Sequence, residues 1–138
     1  MKSVIKILSF LIVIIMVSGL LSTVYAETQC VFYLLSDNTL IGFSAEGHSG
    51  YAEKGYDIVC AAISALTYAG LIGLYDVVNV PLAYTMDDGL TKVMIDENAE
   101  KYKLEEAQIV LKTLLLSLQS VQQDYPNYID VKIEVLRD

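Results

Sequence analysis

The chain has 138 residues, with 9 Lys+Arg against 17 Asp+Glu, a formal charge of −8, 54% hydrophobic residues, two Cys and one His. That length holds one domain at most, and a chain so acidic lacks the cationic footprint that direct nucleic-acid binding requires. One His and two Cys cannot fill a tetrahedral Cys/His zinc site, and two Cys cannot build a disulfide-dense miniature fold, so no metal or cofactor is expected.

The first 26 residues differ from the rest. Lys2 and Lys6 precede an uncharged run of 20 residues, Ile7 to Ala26, and Val24-Tyr25-Ala26 stands before Glu27. A basic start, an apolar centre and small residues near a cut point are the layout of a secretory signal peptide. The run is also long enough to span a bilayer of roughly 30 Å as an anchor. A third reading places the working start of translation downstream. In each case residues 1–26 stand apart from the domain, 27–138, which keeps 7 basic and 17 acidic residues, a net −10.

Within that domain, Thr28–Leu35 is rich in β-branched and aromatic residues and stops at Ser36-Asp37-Asn38; Leu40–Ala45 follows, and the two runs predict a hairpin. Residues 46–56 carry three glycines in eleven positions, a loop whose backbone needs freedom or close approach to a ligand. Asp57 is a good N-cap, and the small and apolar residues after it predict a helix from Ile58 to about Tyr75, buried on most of its surface. Gly70 and Gly73 either weaken its second half or allow a close helix crossing. Asn79–Tyr84 and Leu90–Ile95 flank Asp87-Asp88-Gly89, a hairpin signal. Leu104, Ala107, Val110, Leu111, Leu114, Leu115 and Leu118 have the spacing of an amphipathic helix over Leu104–Gln122, ended by Pro126. Tyr128–Leu136 alternates Ile129, Val131, Ile133 and Val135 with Asp130, Lys132 and Glu134, a half-buried strand with one face in water. The order ββαββαβ predicts an α+β fold: a small mixed or antiparallel sheet of about five strands packed with two helices.

His48 and Cys60 flank the glycine loop, twelve residues apart. With Asp57 as N-cap, Cys60 sits in the first helical turn, where free N–H groups and the positive end of the helix dipole favour a thiolate. An imidazole within reach can take the thiol proton and later return it to an amine leaving group, and the same N–H groups can hold an oxyanion. Ser64, one turn on, shares the face of Cys60 and is placed to hydrogen-bond near it. Against this stands the bland reading: Cys60 is a small packed residue, His48 a loop residue, and Asp57 only a cap whose charge opposes a thiolate.

The stretch GFSAEGHSGYAEKGYDIVCAAISAL, residues 42–66, resembles the signature of the ribosomal-processing cysteine protease family, Prp. The matching elements are Gly47-His48, Gly55 in a mobile loop, Asp57-Ile58-Val59-Cys60-Ala61 and Ser64. The resemblance implies a small α/β thiol endopeptidase with Cys60 as nucleophile, His48 as general base, and Ser49 to Tyr56 as a lid pivoting at Gly50 and Gly55. It implies a homodimer that removes an N-terminal extension from a large-subunit ribosomal protein, through a partly apolar groove. It also implies a cytoplasmic enzyme, whereas a signal peptide implies export. The positive-inside rule makes a cytoplasmic anchored domain the least comfortable compromise, and a cytoplasmic enzyme with a downstream start is preferred.

Two other functions compete. One is a non-catalytic domain with Cys60 packed and inert; the other is an exported domain in which Cys30 and Cys60 form a disulfide, which needs their Cα atoms within about 7 Å. The net −10 suits a basic ribosomal partner by steering, although ordinary solubility is the preferred account of it.

Overall fold

The computed structural model describes residues 27–136; the leader, and every reading made of it, lies outside the described residues. The elements are β1 (Thr28–Leu34), β2 (Leu40–Glu46), α1 (Ile58–Ile72), β3 (Leu82–Asp87), β4 (Leu90–Ile95), α2 (Lys101–Asp124) and β5 (Ile129–Val135). They form one five-stranded sheet in the order β3-β4-β2-β1-β5. Every pairing is antiparallel except β1 with β5, so the sheet is mixed.

The alternating residues of the central strands supply one core face. Phe32 and Phe43 are register partners with ring centroids 6.0 Å apart. Around them cluster Val93 and Ile95 of β4, Ile63 and Leu71 of α1, and Ala107, Leu111, Leu114 and Leu118 of α2. The α2 stripe is the one its i, i+3, i+4 spacing specifies. Gln108 adds a polar clamp: its side-chain amide accepts from Leu40 N–H (2.9 Å) and donates to Leu40 C=O (2.8 Å), fixing the start of β2 under α2.

Gly70 and Gly73 serve a close crossing. A Cβ at Gly70 would lie 2.7 Å from Leu114 Cδ2, and one at Gly73 would lie 2.9 Å from Val110 Cγ1. The helix does not weaken there but widens into a π-helical turn, Gly73–Val78, capped by Asn79 at φ 54°.

Two expectations need correction. Helix α1 is not buried on most of its surface: Val59, Ile63, Thr67, Gly70 and Leu71 are covered, while Ile58, Tyr68 and Ile72 are exposed. Apolar composition all round a helix does not itself bring cover, and α2 and the sheet reach only one side. In β5 the apolar face is covered only at its start. Ile129 is buried, but Ile133 and Val135 are about half exposed on this edge strand.

The candidate active site

The β2–β4 ladder positions the first half of the site. It runs through Glu46↔Leu90 and continues one residue further, where Gly47 N–H donates to Gly89 C=O (2.9 Å). That bond ties the root of the glycine loop to the β3–β4 turn and sets His48 against Gly89. Gly89 has φ +73°, which favours glycine, and a Cβ there would lie 2.9 Å from His48 Nε2, so a side chain at this position would push the imidazole aside.

Helix α1 supplies the second half. Asp57 is the N-cap, and its Oδ1 accepts from Cys60 N–H at 2.8 Å. The same carboxylate gathers the loop: the Ser49 hydroxyl donates to it at 2.7 Å, Tyr51 N–H at 3.1 Å and Ala52 N–H at 3.4 Å. Burial pushes the Asp57 carboxyl up, but the bonds from Cys60, Ser49 and Ala52 outweigh it and hold the group below the usual carboxylate range.

The loop is pinned at two further points. The Tyr51 ring stands edge-on to Tyr125 and Tyr128, with centroids 5.6 and 5.2 Å apart. Lys54 reaches across the mouth of the site to Asp88 on the β3–β4 turn (2.9 Å). That ammonium holds the Asp88 carboxyl below its ordinary range, with a smaller pull from His48.

Between loop, hairpin and α1 lies a cleft of about 720 Å³, the size of a small-ligand or peptide side-chain site. Gly47, His48, Gly50, Gly55, Asp57, Cys60 and Ser64 all line it. His48 and Cys60 thus face one cavity, but no hydrogen bond joins them among the described residues. The Cys60 sulfur instead accepts from Ser49 N–H (3.2 Å) and donates to Ser49 Oγ (3.5 Å). Ser64 lines the cleft one turn on without bonding the sulfur, so the polar neighbour of the thiol is Ser49. The amide of Cys60 is committed to Asp57 and is not free to hold an oxyanion.

The two cysteines are both free thiols, so the disulfide alternative fails. Cys60 is partly accessible, whereas Cys30 lies in the core, where burial and the nearby charge of Asp130 push its thiol up to about 12. Cys30 is therefore protonated and inert at neutral pH.

The sequence profile described as cysteine protease Prp matches residues 28–130. The chain belongs to the Prp cysteine protease family. Among curated relatives, the ribosomal processing cysteine protease Prp of Bacillus subtilis is 22% identical over 102 residues, covering 72% of this chain and 91% of the relative. That of Staphylococcus aureus is 31% identical over 87 residues, covering 58% and 74%. A crystal structure of the S. aureus Prp with a covalently linked product peptide superposes with a TM-score of 0.69 at 23% identity, covering 78% of this chain and 99% of that one. At that identity the likeness establishes the Prp fold, including the mixed five-stranded sheet and two helices.

Sequence reading missed the far wall of this Prp-family cleft, formed by Met86, Asp87, Asp88 and Gly89 of the hairpin, and the Lys54 strap to it. It also missed Thr28. This residue is 3% exposed, lines the cleft, and its Oγ1 is the one buried side-chain polar atom without a partner among the described residues. The Asp-Gly turn signal had located the hairpin but carries no information about what the turn faces.

Proposed function

We propose that the chain is a thiol endopeptidase that removes an N-terminal extension from a large-subunit ribosomal protein, with Cys60 as nucleophile and His48 as general base. The observation that carries this reading is the cleft that a first-turn cysteine and the chain's single histidine both line. The names of the relatives as ribosomal processing proteases support the substrate class.

In the reaction, Cys60 gives its proton to His48 and the sulfur attacks the scissile carbonyl carbon. His48 then protonates the leaving amine as the C–N bond breaks, and water hydrolyses the resulting thioester with His48 again as base. The free-state hydrogen bonds of the sulfur go to Ser49, so peptide binding must bring the imidazole to it; catalytic contacts often tighten only in the complex. With the Cys60 amide held by Asp57, the oxyanion takes donors other than that amide. Gly47, Gly50 and Gly55, each at positive φ, give the loop the freedom to reseat over a peptide.

We also infer that two copies associate through the uncovered side of α1 and the π-helical turn that follows it. Support comes from Ile58, Tyr68, Ile72, Tyr75 and Val77, all exposed, a concentration of apolar surface that monomers seldom leave to water. Sedimentation of the full chain tests this, and a monomer at every concentration would contradict it.

The test of the main reading is incubation of the full chain with a peptide spanning a ribosomal-protein N-terminal extension and its junction. The parent should release the extension, and Cys60→Ala and His48→Ala should not. Unimpaired cleavage by Cys60→Ala would end the proposal. The reaction also requires the domain to meet ribosomal protein in the cytoplasm, which the N-terminal sequence of the native protein decides.

A further inference from the structure

The Cys60 sulfur meets the Ser49 hydroxyl and lies within reach of the Asp57 carboxyl, and the Ser49 hydroxyl faces more acceptors than it has protons. It lies 2.7 Å from both Asp57 oxygens and 3.5 Å from Sγ, and Ser49 is 1% exposed, so water does not supply the missing donor. While the thiol is neutral the arrangement is satisfied: S–H donates to Ser49 Oγ and the Ser49 O–H donates to Asp57. When the thiol ionises, Sγ loses its proton and meets an oxygen lone pair. The hydroxyl turns its proton to the sulfur as the Asp57 carboxylate, now without a proton between its oxygens and an Oγ 2.7 Å away, moves off Ser49 while its three backbone donors, Cys60, Tyr51 and Ala52, continue to hold it.

We propose that Ser49 is a positioning residue of the reaction, its hydroxyl proton passing from the Asp57 carboxylate to the Cys60 sulfur as the thiolate forms. This rests on the peptidase reading for its use in turnover. No bond to Ser49 forms or breaks: the thiol proton leaves for His48, and Ser49 keeps its own proton and changes acceptor. Two effects follow. The O–H joins the Ser49 N–H, already 3.2 Å from Sγ, in stabilising the thiolate. It also stands between that thiolate and the negative charge of Asp57, which would otherwise oppose it. The other charged or titratable groups lining the cleft are His48, Lys54, Tyr68, Asp87 and Asp88. Of these, Lys54 and Asp88 are paired to each other.

The experiment measures the rate of Cys60 alkylation by iodoacetamide against pH in the full chain, for the parent, Ser49→Ala and Ser49→Thr. A hydrogen bond to an ion changes an ionisation constant by roughly tenfold, so Ser49→Ala should move the alkylation midpoint up by about one pH unit. Ser49→Thr, which keeps the hydroxyl, should restore it. On a cleavable peptide, Ser49→Ala should lower kcat about tenfold with KM little changed, since the group acts on the nucleophile and not on the substrate. A residue that merely held the loop would lower melting temperature and raise KM without moving the midpoint. An unmoved midpoint in folded Ser49→Ala, or Ser49→Thr matching Ser49→Ala, overturns the proposal. Should Ser49→Ala fail to fold, Ser49→Gly carries the same comparison. Alkylation needs no turnover. A shifted midpoint in a protein that cleaves nothing would thus defeat the peptidase reading while leaving the hold of Ser49 on the sulfur in place.

Discussion

Replacing Asp57 with Ala removes one carboxylate and four hydrogen bonds, and the structure gives each a weight. Losing the N-cap bond to Cys60 N–H (2.8 Å) costs about 1 kcal/mol. Orphaning the buried Ser49 hydroxyl costs about 1–2 kcal/mol, toward the low end because the sulfur at 3.5 Å remains as a partner. The Tyr51 and Ala52 amides are on an exposed segment and regain water, so they add little. The expected loss is about 2–3 kcal/mol near neutral pH, or roughly 10 °C in Tm for a domain of this size. Urea unfolding at a series of pH values measures it. The sign of the pH dependence follows from the direction of the shift. The folded carboxyl sits below its unfolded value, so its contribution is complete above the ordinary Asp range near pH 4 and is lost as pH falls through the folded value. The gap between parent and Asp57→Ala should be flat from pH 7 to about 5 and close below about 4. A loss under about 0.5 kcal/mol, or a gap that widens in acid, would refute the account of Asp57 as both cap and loop anchor.

Three further outcomes are expected. A thiol reagent should label one cysteine in the native protein and two in denaturant, with the native label on Cys60, because burial pushes the Cys30 thiol to about 12; native labelling of Cys30 would contradict this. Gly89→Ala should cost about 1–3 kcal/mol for a side chain at φ +73°. It should also cut peptide cleavage by on the order of 10²-fold by displacing His48; full activity in the folded variant would separate His48 from the hairpin. Thr28→Val removes the unpartnered buried hydroxyl and should stabilise the free protein by about 1 kcal/mol in urea unfolding, whereas destabilisation would reveal a partner for that oxygen.

What was legible in the sequence was local. Period-2 alternation in Tyr128–Leu136, period-3.6 spacing in Leu104–Gln122, Asp57 before an apolar run and Asp88-Gly89 between two others each report chemistry within a few residues. Those signals located every strand and helix within a few positions. The parallel β1/β5 pairing and the order β3-β4-β2-β1-β5 depend on long-range packing that no local pattern encodes. For the same reason the uncovered side of α1 could not be read: the sequence displays the apolar residues, not what covers them. In the site, the Gly-His and Asp-Ile-Val-Cys elements stood out because their residue types are chemically distinctive. Ser49 stood beside them as an ordinary loop residue, and its contact with Cys60 exists only because the loop folds back onto Asp57. The Lys54–Asp88 strap joins residues 34 positions apart and had no local signal at all.

The most direct test of the central claim is intact-mass spectrometry of the full chain mixed with a peptide spanning a ribosomal-protein N-terminal extension. The account predicts release of the extension together with a transient acyl adduct that maps to the Cys60 peptide and is absent from Cys60→Ala. Cleavage persisting in Cys60→Ala, or an adduct mapping elsewhere, would contradict it.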